Sequence, residues 1–250
     1  MIELDLLTKD VNAFPGLNLN NIVTVLPLFF LATVRVGSFV ISSPLFGMRG
    51  VPTPIRVVIS FILGLAVVSF TGLPSEDLLS SLNFIFIVLV EIAVGLTAGL
   101  IVTIWFSSVA LAGEKMATSA GLGYAAQIDP QAGGQTPVVS VILNLFLIVL
   151  FVSLDGHLLM LRVFFESFSI LPIGSMPPPM VLIGAGIKAA GSMFVAASLI
   201  MLPVVGIILM INVSAGIMTR SAPQLNLFSF VFPVTILGAF IILYFSTGTM

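Results

Sequence analysis

Long uncharged stretches dominate the chain. They run from Val11 to Val34, Val57 to Pro74, Ile92 to Gly113, Pro130 to Leu154, Ala189 to Thr219, and from Ser221 to the end. A membrane-spanning helix needs about 20 apolar residues to cross a hydrocarbon core of ~30 Å. Spanning β-strands would instead read as ~10-residue segments of alternating polarity. Runs such as FILGLAVVSF and VILNLFLIVLFVSL do not alternate, so the pattern predicts helices, at 21–46, 55–72, 82–111, 137–154, 158–169, 181–218 and 226–246. The expected fold is an all-α integral membrane protein of six to seven hydrophobic, partly kinked helices.

Two of these elements carry more information than the rest. A straight helix over 181–218 would be ~57 Å long at ~1.5 Å per residue, nearly twice the hydrocarbon core. Pro203 lies inside it, where a missing N–H and a ring clash bend helices, so the element is expected either to kink there or to project beyond the bilayer. Pro233 interrupts the final helix in the same way. Helices broken at membrane depth survive where other protein covers the freed backbone groups, which points to an assembled complex. Between the two, Arg220 falls at a helix C-terminus, where a cation meets the negative dipole end. Pro223 stops continuation and Asn226 is a candidate N-cap, which together read as a helical hairpin turn.

Composition agrees: 59% of residues are hydrophobic and 7% charged, against about 45–50% and 25% in soluble domains. A net charge of −2 offers no basic face to nucleic acid. Cysteine is absent, which removes disulfide, iron–sulfur and thiol chemistry. The N-terminus holds Glu3, Asp5 and Asp10 against Lys9, unlike a secretory signal, so the first apolar run is expected to stay in the mature protein. Charges give no orientation: Arg49, Arg56, Lys115 and Arg220 fall on one side, and Lys9, Arg162 and Lys188 on the other, too even for the positive-inside rule.

Catalysis is not expected, nor is any cofactor or metal. His157 is the only histidine, so a two-histidine zinc site cannot form within the chain. Asp129 and Asp155 sit in breaks before Pro130 and Gly156, a poor setting for an aspartyl dyad. Gly121–Leu122–Gly123 lacks the strand and third glycine of a dinucleotide fingerprint. Two charges do lie inside apolar runs, Arg35 and Glu91. Arg35 falls ~21 Å along the first helix, where an unpaired charge costs ~2.5–3.5 kcal/mol or more. The two could pair across the first and third helices; snorkelling, or a partner from a neighbouring subunit, is the commoner solution.

The most unusual stretch is GEKMATSAGLGYAAQIDPQAGGQ, 113–135. It is too long and apolar for a solvated loop, and too rich in small residues to pack a rigid core. Gly113, Gly121, Gly123, Gly133 and Gly134 permit tight turns, while Met116, Leu122, Tyr124 and Ile128 supply soft contacts that can be made and broken. Both properties suit a re-entrant loop or movable plug. The alternative is a small-residue helix packing closely on a neighbour.

Several stretches together resemble a known family. GEKMATSAGLGYAAQIDP (113–130), DGHLLMLRVFFESFSILPIG (155–174) and NVSAGIMTRSAPQLNLFSFVFP (212–233), in this order and spacing, are similar to the FliR family of flagellar export-gate proteins, and VRVGSFVISSPLFG (34–47) adds to the match. The resemblance implies a non-enzymatic subunit of a type III secretion export gate in the bacterial inner membrane. FliP and FliQ would be its partners in a heteromeric complex, with FlhB and FlhA as further partners and unfolded export substrates as transient ones. It implies a FliP-like part over 1–178 and a FliQ-like helical hairpin over 179–250, with much of the assembly above the ordinary bilayer plane. It also implies that the loop at about 113–128 plugs the pore, with Met116, Gly121, Leu122, Gly123 and Tyr124 as the gating residues. An injectisome homologue shares the fold, although RSAPQLNLF leans flagellar. Relatives often continue past the final apolar helix, whereas this chain stops at FSTGTM. A small-molecule transporter is the competing class, since Pro203 and Pro233 imitate discontinuous helices. It would need a matching pair in the first half, and none is found there.

Overall fold

The computed structural model describes residues 19–48, 50–70, 83–121 and 137–221, with 233–235, 237, 238 and 241 beyond them. Six helices run through these residues: α1 (Leu19–Ser42), α2 (Thr53–Phe70), α3 (Asn83–Ser119), α4 (Val138–Ser153), α5 (Gly156–Ile170) and α6 (Pro179–Ser221).

Prolines mark three of the six starts. Pro54 occupies the first turn of α2 and Pro179 opens α6, positions where an N–H has no intrahelical partner to lose. Pro137 precedes α4 and accepts the Val141 N–H at 3.2 Å. The α4–α5 break is made by Leu154, whose N–H still reaches Leu150, and by Asp155 at φ 56°. Pro27 lies inside α1 and Pro203 inside α6. α6 is one helix of 43 residues that continues through Pro203, ~65 Å long. The predicted 226–246 helix falls largely outside the described residues; 233–235 are helical.

α3 corrects an expected boundary. The predicted helix ends at 111, but the helix runs on to Ser119. The first residues of the unusual stretch are therefore helical and packed, as the alternative of a small-residue helix against a neighbour had it, and not part of a loop. The physical reason is close approach. A Cβ on Gly113 would come within 2.6 Å of Ser140 Cα, so hydrogen alone fits at that contact.

The chain divides into two compact units, each drawn from two segments. The first comprises residues 1–103 and 156–186, the second 104–155 and 187–250. In unit 1, Leu28, Leu31, Val36, Phe39 and Val40 of α1 are buried, as are Met160, Phe164 and Phe168 of α5. Phe39 and Phe164 stack with ring centroids 3.9 Å apart. In unit 2, Ala112, Met116, Ala117 and Ala120 pack with Val139, Val204 and Ile208.

Among the described residues, three helices are long and apolar enough to cross a membrane, within 25–42, 84–119 and 179–221, or four if the bent pair α4–α5 counts as one span. Along α6 only Ala189, Ala197, Val204, Ile208 and Ala215 are buried by the chain itself. Leu199, Leu202, Leu209, Met210, Val213 and Ile217 are among its exposed side chains. So much uncovered apolar surface belongs against lipid or other protein.

Candidate functional site

Arg35 lies on α1 and Glu91 on α3, both wholly buried within unit 1. The structure joins them: Arg35 Nε donates to Glu91 Oε2 in an ion pair. Two further bonds extend the pair to the turn after α5. Arg35 Nη1 donates to the Leu171 carbonyl at 2.8 Å, and the Gly174 N–H donates to Glu91 Oε1 at 3.0 Å. The guanidinium also lies over the Phe168 ring, 4.4 Å from its centroid, a cation–π contact worth up to ~2 kcal/mol when desolvated. Among the described residues Arg35 Nη2 finds no acceptor. The guanidinium is thus solvated by protein on most sides, and neither charge needs to snorkel.

The pair forms because two helices approach closely just beyond it. Glu91, Gly95, Gly99 and Thr103 recur every four residues and share one face of α3. A Cβ on Gly95 would collide with the Arg35 carbonyl and with Ser38 Oγ, and one on Gly99 would lie 2.8 Å from the Phe39 carbonyl oxygen. Thr103 Oγ1 closes the seam by donating to the Ser42 carbonyl at 2.6 Å. Contacts advance in the same direction on both helices, so α1 and α3 run parallel along this seam. Ser38 and Ser42 satisfy their hydroxyls within α1, on the carbonyls of Val34 (2.6 Å) and Ser38 (2.7 Å). The signal for this seam stands in the sequence as GLTAG at 95–99, a small-xxx-small interface that the reading of apolar runs passes over.

Unit 2 holds the start of the loop that the sequence singles out. Met116 is buried on α3 among Ala112, Ala117, Val204 and Ile208. Gly113 meets α4 at Ser140, whose Oγ donates to the Ala110 carbonyl at 2.9 Å. The end of α3 leaves carbonyls without helical partners, and side chains from later in the chain take two of them. Asn212 Nδ2 donates to the Ser119 carbonyl at 3.2 Å, and Thr235 Oγ1 to the Ala120 carbonyl at 3.4 Å. Gly121 follows at φ 84°, a conformation that glycine adopts at little steric cost. Leu122, Gly123, Tyr124 and Ile128 lie outside the described residues, as do Asp129, Gly133, Gly134, Pro223 and Asn226. Arg220 is in the last turn of α6. Asp155 lies in the α4–α5 break and His157 in the first turn of α5, and among the described residues no three metal-ligating side chains gather.

The sequence profile of the family described as "Bacterial export proteins, family 1" matches residues 26–250. A flagellar biosynthetic protein FliR from Pectobacterium carotovorum subsp. carotovorum is 30% identical over 208 residues, covering 83% of this chain and 79% of its own. The chain belongs to the FliR family of bacterial export proteins. The FliR of Escherichia coli (strain K12) is 28% identical over 212 residues (84% of this chain, 80% of its own), and that of Bacillus subtilis (strain 168) 29% over 234 residues (90% and 88%). The family match takes in both the Arg35–Glu91 cluster and the α3 end with its following loop. A FliR-family chain of this kind is a membrane protein, as its long apolar helices require.

Proposed function

We propose that the chain is a subunit of the flagellar type III protein export gate, resident in the bacterial inner membrane and working within a heteromeric complex. The observation that carries this reading is the family match over residues 26–250, with relatives that are flagellar biosynthetic proteins. The largely uncovered α6 supports it, because a ~65 Å apolar helix exceeds what a ~30 Å hydrocarbon layer covers. FliP and FliQ are the proposed core partners, with FlhB and FlhA beside them. The part over 1–178 packs as FliP does and the hairpin over 179–250 as FliQ does. The role is structural, without a catalytic step.

The loop at about 113–128 is the proposed pore plug. Its first turns form a packed foot, anchored through Met116 and Gly113, and Gly121 is the turning point. Closure comes from a small, deformable apolar constriction that unfolded substrates displace. Two measurements test the function. Co-expression with FliP and FliQ should give a large detergent-stable complex with this chain as the minor species; a monomer or homodimer that ignores those partners refutes it. In a flagellated bacterium lacking its own FliR, the chain assembled with its cognate partners should restore motility. If the complex forms but neither filament nor motility returns, the flagellar assignment falls.

A further inference from the structure

Two hydrogen bonds in unit 1 reach the short turn between α5 and α6, beside two apolar side chains. Arg35 Nη1 holds the Leu171 carbonyl at 2.8 Å, Glu91 Oε1 holds the Gly174 N–H at 3.0 Å, Phe168 lies under the guanidinium, and Ile173 is buried. The turn's own backbone bonds are local: Leu171 N–H to Ser167 at 2.8 Å and Ser175 N–H to Pro172 at 3.0 Å. They set its shape, with Gly174 at φ 84°, but do not tie it to α1 or α3. The chain then enters Met176-Pro177-Pro178-Pro179. Proline has no backbone N–H, so this stretch can donate little to any neighbour before α6 begins.

The same pair is poorly built for stability. Two charges are buried, and among the described residues one guanidinium nitrogen has no acceptor. Apolar side chains of similar volume in such a place are often neutral or stabilising. We propose that Arg35 and Glu91 are a positioning pair, a two-pronged clamp that fixes the Leu171–Gly174 turn against α1 and α3 and thereby sets where α6 starts. Its value is conformational specificity, independent of whether the chain acts in export.

The test is amide hydrogen exchange on the full chain, purified from membranes in detergent together with any subunits that accompany it. Arg35→Met/Glu91→Leu is expected to fold, with a thermal midpoint near the parent's. Exchange at the Gly174 amide should become at least about tenfold faster, and that of its neighbours Ile173 and Ser175 should rise with it, while α1 and α3 stay protected. Glu91→Gln, which keeps an acceptor for the Gly174 N–H, should fall between the two. The proposal is overturned if the Gly174 amide stays protected in the double variant. It is equally overturned if α1 and α3 lose protection to the same degree, or if the double variant does not fold, since the pair would then be ordinary core.

Discussion

Alanine in place of Gly95 should destabilise the protein, whereas alanine in place of Gly191 should stabilise it, although both glycines sit inside long helices. In a helix interior, glycine is worse than alanine by about 0.5–1 kcal/mol, so the intrinsic gain is alike at both positions. Their surroundings decide the sign. Among the described residues nothing lies within 4 Å of a Cβ on Gly191, so that variant keeps the whole gain. At Gly95 the new methyl would collide with the Arg35 carbonyl oxygen and Ser38 Oγ and lie 3.1 Å from the Arg35 carbonyl carbon. Backbone cannot swing aside, so the helices must separate by roughly 0.5–1 Å, a gap that forfeits a quarter to a half of each dispersion contact along the seam. Overpacking of this kind costs about 1–3 kcal/mol, so Gly95→Ala should fall roughly 1–3 kcal/mol below Gly191→Ala and lose up to roughly 2.5 kcal/mol against the parent once the propensity gain is subtracted. Gly99 meets the same α1 face, with a Cβ 3.0 Å from that of Ser42. One displacement relieves both clashes, so Gly95→Ala/Gly99→Ala should cost less than the sum of the singles. Reversible unfolding of the purified chain in mixed detergent, followed by circular dichroism, measures each difference. Gly95→Ala proving as stable as Gly191→Ala would refute the close α1–α3 approach, and with it the geometry that brings Arg35 to Glu91.

Arg35→Ala should cost about 3–5 kcal/mol, because it strands a buried carboxylate; a loss under 1 kcal/mol in the same unfolding assay would mean that Glu91 is solvated by other means. Phe164→Ala removes the ring stacked 3.9 Å from Phe39 and should cost about 3–5 kcal/mol, read as a drop in the denaturation midpoint. Gly121→Pro forces a negative φ where the chain holds 84°, and with Gly123→Pro it should abolish export while complex assembly, checked by native mass, persists. Deleting part of the loop after Gly121 should make the membrane leak ions; a tight membrane counts against a plug.

Much of the architecture was legible in the one-dimensional pattern, because hydrocarbon leaves the backbone few choices. Apolar runs placed α1, α2 and α4–α6 within a few residues of where they lie, and the motifs at 113–130, 155–174 and 212–233 pointed to the family. The end of α3 was not legible: GEKMATS carries two charges and small residues, and only its fit against Ser140, Val204 and Ile208 makes it helix rather than loop. The fate of Arg35 and Glu91 was undecided for a similar reason. Hydropathy says that a charge in an apolar run must be neutralised, but not by what. Their meeting depends on two glycines four residues apart, which let α3 lie against the backbone of α1, and on a turn at 171–174 brought from a distant part of the chain. Burial of apolar length is a local property that each segment carries alone. Solvation of a buried charge is a property of three segments at once, so only the tertiary structure could decide it.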